Sequence, residues 1–207
     1  QLRLYHSASD EAAFKIVNMK LGKDGLWKAT VKDDIKGAFY TFQVQKDGQW
    51  LEETEGIAAK AVGVNGMRGA VIDWAETGPE GWAEDKSPKI DPSDIIVYEL
   101  HHRDFSIHQT SGVDNNGKYL ALTEEGTKNP DGLATGIDHL KEIGVTYVQL
   151  LPSTDFATID ETRLEDNQYN WGYEPLNYNA VEGSFSTDPY NPVTRIKEFK
   201  QMVQALH

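Results

Sequence analysis

Two near-continuous apolar runs, Ile95-Ile96-Val97-Tyr98-Glu99-Leu100 and Val145-Thr146-Tyr147-Val148-Gln149-Leu150-Leu151, most narrow what this chain can fold into. Such runs are expected of strands buried on both faces, as in parallel sheets flanked by helices. Each is followed by a long polar loop and then by residues at helical spacing. After loop 103–131, Leu133, Ile137 and Leu140 stand at i, i+4 and i+7, and Gly144 sits where a helix C-terminus favours glycine. After loop 153–190, Asn191-Pro192 reads as a capping residue with proline at the first helical position, and Ile196, Phe199, Val203 and Leu206 form one stripe behind it. The order strand, loop, helix, strand, loop, helix implies parallel strands joined by right-handed crossovers. Two strands do not make such a sheet, so the second helix is expected to feed a further strand.

Residues 1–85 follow another pattern. Short apolar or alternating runs recur at Leu2–Leu4, Phe14–Val17, Trp27–Val31, Phe39–Val44 and Ala70–Ile72. Lys23-Asp24-Gly25 and Lys46-Asp47-Gly48 supply the positive φ that tight hairpins need. The pattern predicts a small antiparallel, immunoglobulin-like β-sandwich, with Trp27, Phe39, Phe42, Val44 and Val71 in its core. The segment from Trp82 to Pro92, with two prolines and alternating charges, reads as a linker. The fold class is thus multidomain, β followed by α/β.

A formal net charge of -13 opposes phosphate backbones and anionic lipid headgroups, so neither nucleic acid nor a membrane surface is an expected partner. A neutral glycan is not repelled. No run approaches the roughly 20 apolar residues of a membrane-spanning helix. The start, Gln1-Leu2-Arg3-Leu4-Tyr5, has neither an initiator methionine nor a signal-peptide pattern and begins within a strand, so the natural N-terminus is expected upstream. With no cysteine, disulfides and thiolate metal sites are excluded, and the compartment stays open.

The densest unusual cluster is Tyr169-Asn170-Trp171-Gly172-Tyr173-Glu174-Pro175-Leu176-Asn177-Tyr178. Aromatic faces stack on sugar rings, Asn and Glu bind hydroxyls, and glycine lets the backbone approach a ligand. Composition alone is equally met by a loop folded on its own aromatics. Trp27, Trp50, Trp74 and Trp82 are expected in a sandwich core more than on a sugar-binding platform. His101, His102 and His108 fit no metal-ligand spacing; His101 is expected as hydrogen-bonded core, Asp104 as a loop anchor or a partner of Arg103 or of a distant basic group, and Glu124-Glu125 as a solvated loop tip.

Tyr169 to Pro175 closely resembles the YNWGYDP signature of type I pullulanases in the α-amylase superfamily, with Glu174 where that family usually has Asp. Val97 to Ser106 resembles the family's first barrel strand, Gly144 to Pro152 its second, and Tyr178 to Pro189 with Arg195 to His207 the stretch into the second barrel helix. Leu26 to Val44 and Ala59 to Gly69 resemble the glycan-binding-type sandwich that precedes the barrel in debranching enzymes.

The resemblance implies a fragment truncated at both ends. Its domains would be a glycan-binding-type sandwich at 1–88 and the N-terminal part of a (β/α)8 TIM barrel at 93–207, needing the remaining barrel for closure. It implies a retaining hydrolase of α-1,6 branch linkages in pullulan, amylopectin or limit dextrins, using two carboxyl groups about 5 Å apart. The nucleophile, the acid/base and a third carboxylate follow later barrel strands in that family, so no catalytic residue is expected here. Asp155, Glu174 and Asp188 do not take those roles. Tyr173 matches the tyrosine that stacks under the sugar where cleavage begins, Trp171 and Tyr169 match walls of that subsite, and Asn170 and Glu174 complete the expected substrate-binding set. No cofactor or metal is expected in this chain; calcium is an open expectation for the full enzyme alone. The partner implied is an α-glucan, and the parent's location is left among secreted, periplasmic and cell-surface. The alternatives are another debranching or branching member of the superfamily, or a non-catalytic glucan-binding module.

Overall fold

At Lys46-Asp47-Gly48-Gln49 both central residues take positive φ, 51° at Asp47 and 78° at Gly48, so the turn carries the twist that paired strands need. The computed structural model describes residues 1–207. Its N-terminal half holds β1 (Leu2–Tyr5), β2 (Lys15–Val17), β3 (Lys20–Leu21), β4 (Trp27–Lys28), β5 (Phe39–Lys46), β6 (Gln49–Thr54) and β7 (Gly69–Ala70). One antiparallel sheet runs β2-β1-β5-β6, with β7 pairing the start of β5. The Asp47-Gly48 turn joins β5 to β6 in the register Lys46↔Gln49. The Asp24-Gly25 turn closes a separate ribbon of β3 and β4, with Leu21 opposite Trp27.

The expected core of this half is corrected at four positions, Trp27, Val44, Trp50 and Trp74, all of them exposed, while Trp82 is half-buried. Phe39 is buried and Phe42 and Val71 are half-buried, but Val44 is exposed and Trp27 is 63% exposed. Trp27 stands on a ribbon of two short strands, too little sheet to enclose an indole. Val44 lies at an irregularity in the β5–β6 register between Gln43 and Gln45, where the outward end of β5 begins. Leu4, Tyr5 and Thr41 hold the sheet's interior instead. The Arg68 guanidinium lies 3.5 Å from the Tyr5 ring centroid.

The second half begins with β8 (Val97–Leu100), α1 (His102–Ser106), α2 (Gly136–Glu142) and β9 (Tyr147–Leu150). It ends with β10 (Thr154–Phe156), β11 (Pro175–Val181) and α3 (Pro192–Leu206). Strands β8 and β9 are parallel, paired from Val97↔Tyr147 to Leu100↔Leu150. They are shorter than the apolar runs and covered on one face. Tyr98, Leu100, Val148 and Leu150 meet the core, whereas Ile95, Ile96, Val97 and Tyr147 are exposed. The alternation follows from the two-residue strand period, because helices and loops cover only one side of the pair.

Both helix signals hold in their decisive residues. Gly144 takes φ 78° just beyond α2, and Asn191 Oδ1 accepts from the backbone N–H groups of Val193 and Thr194 with Pro192 at the first turn. Leu133, by contrast, lies before α2 and is exposed, so the buried stripe of α2 is Ile137 and Leu140. The long loop 153–190 contains the antiparallel pair β10–β11, which the sequence pattern did not suggest.

The largest apolar core lies in this half: Leu100, Tyr119, Leu122, Leu140, Phe156, Ile159, Phe185 and Met202. Burial of each large apolar side chain contributes about 1.5–3 kcal/mol. A smaller cluster, Ala59 and Val62 with Ala180, joins the halves. No helix is long and apolar enough to cross a membrane.

Candidate functional site

The aromatic heptapeptide, residues 169–175, ends the connection between β10 and β11 and is anchored to the C-terminal ends of both parallel strands. His101, directly after β8, places Nε2 2.9 Å from the Asn170 carbonyl oxygen. A carbonyl only accepts, so Nε2 carries the proton, which leaves Nδ1 to accept from the Asp104 N–H at 3.4 Å. His101 is therefore the hydrogen-bonded core residue that the sequence suggested, and Asp104 pairs with Arg103. On the β9 side, buried Gly172 takes φ 90° against Pro152; an added Cβ would lie 2.5 Å from the Pro152 carbonyl oxygen. Only glycine suits that backbone and that approach.

Asn170 organises the loop from within. Its Nδ2 lies 3.1 Å from the Ala157 carbonyl, 2.6 Å from Thr158 Oγ1 and 3.3 Å from Glu174 Oε2, while its Oδ1 accepts from the Gly172 N–H at 2.7 Å. Thr158 Oγ1 donates to Glu174 Oε2 at 3.0 Å, and the Ala157 N–H donates to the Glu174 carbonyl at 3.1 Å. The Glu174 carboxylate is thus bonded across the base of its own loop.

With the polar groups bonded inward, the rings are left outside. Trp171 and Tyr173 are 62% and 64% exposed, and Tyr169 is exposed as well. Tyr169 meets Trp171 edge-on, with centroids 6.4 Å apart and planes at 80°, and its other neighbours are His101 at 5.2 Å and the Arg103 guanidinium at 5.7 Å. The adjoining rings of Tyr169 and Trp171, with Tyr173 exposed two residues on, lie on a loop braced by the side chains of Asn170 and His101 and offer faces on which a flat apolar surface can stack.

Beneath β10 and β11 lies a buried charge cluster that sequence reasoning missed. Arg195, 1% exposed on α3, pairs through Nη1 with Asp155 Oδ1 at 3.3 Å and through Nη2 with Glu161. It also donates to the Gly63 carbonyl at 3.1 Å and, through Nε, to the Pro189 carbonyl at 2.9 Å. Around it, the Asn65 N–H donates to Glu161 Oε2 and the Glu161 N–H to Asn65 Oδ1, each at 2.7 Å, and Asn177 Nδ2 donates to both Gly66 O and Asp155 Oδ2. The 63–66 turn of the first half is thereby fixed to the second.

Carboxylate oxygens of Asp155, Glu161 and Glu182 lie within 4.8 Å of one another, the arrangement closest to a metal site in the chain. Their lone pairs are already engaged. Arg195 serves the first two, and the backbone N–H groups of Phe156 and Ser184 serve both oxygens of Glu182 at 3.0 and 2.8 Å. One guanidinium does not balance three carboxylates. Burial, followed by the neighbouring Glu161 carboxylate, pushes Glu182 up to about 8; burial pushes Asp155 up to about 6 and raises Glu161 as well. Glu182 is therefore protonated at neutral pH. His102 is held neutral, its pKa lowered to about 3 by burial, and contacts Ser153 Oγ at 2.7 Å. Glu124 is only half-exposed; its carboxylate accepts from the N–H groups of Asp114 and Asn115, so it closes a loop where a solvated tip was expected.

None of the known protein-family models matches the chain. Among curated relatives, the pullulanase of Bacillus subtilis (strain 168) is 41% identical over 206 residues, covering 100% of this chain and 28% of the relative. Isoamylase 3, chloroplastic, of Oryza sativa subsp. japonica is 32% identical over 139 residues, 64% of this chain. Among solved structures, the pullulanase of Paenibacillus barengoltzii in complex with maltohexaose and α-cyclodextrin superposes with a TM-score of 0.96 at 48% identity, over 100% of this chain and 32% of that one. The pullulanase of Bacillus acidopullulyticus gives 0.92 at 44%, over 25% of its chain. The chain therefore spans about a quarter to a third of these pullulanases.

Proposed function

Starting from a chain homologous to pullulanases along its whole length, we propose that it is the segment of a starch-debranching glycoside hydrolase that supplies a glycan-binding module and one wall of the active site. Residues 1–88 form the glycan-binding-type, immunoglobulin-like sandwich module, with the five-stranded sheet as its framework. Residues 93–207 form the first two βα units of a (β/α)8 barrel. The observation that carries the reading is the exposed Tyr169–Trp171–Tyr173 face braced on the C-terminal ends of β8 and β9, the end at which active sites of that fold assemble.

The substrate is an α-glucan with α-1,6 branch linkages, cleaved with retention through a covalent glycosyl-enzyme intermediate. Tyr173 is the platform beneath the sugar at which cleavage begins, and Trp171 and Tyr169 are the walls. Asn170 and Glu174, whose side chains are bonded into the loop, contribute to binding through the shape they give it. The chain's own carboxylates do not supply nucleophile and acid. Asp155 is buried against Arg195 and Asn177, Glu174 is held by Thr158 and Asn170, and Asp188 accepts from the Tyr190 N–H. Both catalytic carboxyl groups are assigned to other segments of the parent enzyme. The isoamylase likeness favours the same broad chemistry, debranching, as the second reading.

Reducing-end release from pullulan tests the assignment. The 207-residue chain of verified mass is expected to release none above a blank, and a pullulanase-length protein containing it to release reducing ends readily. Release by the purified 207-residue chain overturns the assignment of the catalytic groups.

A further inference from the structure

Thr158 is a β-branched residue held at φ 77°, in the left-handed region that such side chains strongly disfavour. Strain of this kind persists where the surroundings impose it, and here they are specific. The Thr158 hydroxyl receives Asn170 Nδ2 at 2.6 Å and donates to Glu174 Oε2 at 3.0 Å, with the Ala157 carbonyl bound to the same Asn170 amide. Asn170 in turn fixes the Gly172 N–H from one side and receives His101 on its carbonyl from the other. Residues 169–174 thus reach the bend that follows β10 through a clasp centred on one hydroxyl, and every exposed ring of the loop is within three residues of Asn170.

We infer that Thr158 is a positioning residue for the aromatic face. Its strained backbone aims the hydroxyl at Asn170 and Glu174, and those two residues set the orientation of Tyr169, Trp171 and Tyr173 toward a glucan. Glu174, which stands where the resembling signature has Asp, serves as the far end of this clasp; its extra methylene spans the distance to Thr158. The inference rests on the reading that the aromatic face meets substrate. The clasp itself is observable without substrate.

Three substitutions in a pullulanase-length protein containing this segment separate the roles. Thr158→Val keeps the β-branch and removes only the hydroxyl, Thr158→Ser keeps the hydroxyl, and Thr158→Gly removes hydroxyl and strain together. Amide hydrogen exchange at Gly172 reads the clasp, exchange at Met202 reads the core, and calorimetric titration with maltotetraose reads the face. Expected are a tenfold or greater acceleration at Gly172 and about tenfold weaker maltotetraose binding in Thr158→Val and Thr158→Gly. Met202 exchange should be unchanged, and Thr158→Ser should restore both values. Thr158→Gly should in addition keep or raise the thermal midpoint, whereas a merely structural role would lower midpoint and protection together. Unchanged Gly172 exchange in Thr158→Val, or acceleration shared with Met202, overturns the clasp. Normal maltotetraose affinity in Thr158→Val overturns the positioning role. An unaltered protein that binds no maltotetraose while the exchange contrast persists overturns the substrate-facing reading on which the positioning role depends, and leaves the clasp standing.

Discussion

Replacing Glu182 by Gln should reverse its effect on stability between mildly acid and alkaline solution. Glu182 is fully buried, and burial with the Glu161 charge lifts it from an ordinary 4.5 to about 8. Between those two pH values the folded chain holds a proton that the unfolded chain has released. Stability therefore falls as pH rises through that window and levels off above about 8. Each pH unit is worth about 1.4 kcal/mol, so the site costs on the order of 4–5 kcal/mol by pH 9. Glu182→Gln abolishes this titration and relieves Asp155 and Glu161 of a like-charged neighbour. It introduces a different cost, because a Gln carbonyl satisfies only one of the two backbone N–H groups, from Phe156 and Ser184, that now meet carboxyl oxygens. An orphaned buried N–H costs about 1–3 kcal/mol. The variant is thus expected to be less stable than the parent chain at pH 5 and more stable at pH 9, with curves crossing at about pH 6. Urea unfolding followed by far-ultraviolet circular dichroism at pH 5, 7 and 9 measures this. Parallel curves for the two proteins would show that Glu182 does not carry the proton and would refute the electrostatic description of the cluster.

Arg195→Met leaves Asp155 and Glu161 buried without their cation, and should cost about 3–5 kcal/mol at pH 7 in the same unfolding assay, and less at pH 5, where protonation of Asp155 relieves part of the uncompensated charge. An unchanged midpoint at pH 7 would contradict the role given to the guanidinium. Gly66→Ala forces a side chain onto φ 69° and into Asp155 and Asn177, so it should destabilise by more than about 1 kcal/mol and loosen the 63–66 turn in hydrogen exchange. Full stability in that variant would mean the turn is not packed on the charge cluster.

What was legible in the sequence was local. The Asp47-Gly48 turn, the Asn191-Pro192 cap and Gly144 each depend on a few adjacent residues, and each appears where the residues placed it. The heptapeptide was visible for the same reason: its aromatics are contiguous and stay outside. The charge cluster was invisible because its members come from four separate segments, and nothing adjacent to Arg195 in the sequence marks its guanidinium as buried. Trp27 and Val44 misled because an apolar residue in a strand does not reveal whether a second layer covers it. Glu174 resembled a sugar ligand by type, while its partner Thr158, distant along the chain, turns the carboxylate inward. Thr158 itself carries no sequence signal, since threonine at positive φ is what local preference argues against.

The most direct test of the aromatic wall is the kcat/KM for pullulan of a pullulanase-length protein containing this segment, with and without Tyr173→Ala. Tyr173 is 64% exposed and supports no core contact, so its loss should leave the thermal midpoint in place. Stacking under a flattening sugar strengthens toward the transition state, so kcat should fall as well as KM rise. A ten- to hundredfold loss in kcat/KM, equivalent to about 1.4–2.7 kcal/mol, at an unchanged midpoint is the expected result. A kcat/KM within twofold of the unsubstituted protein would contradict the placement of this loop in the active site.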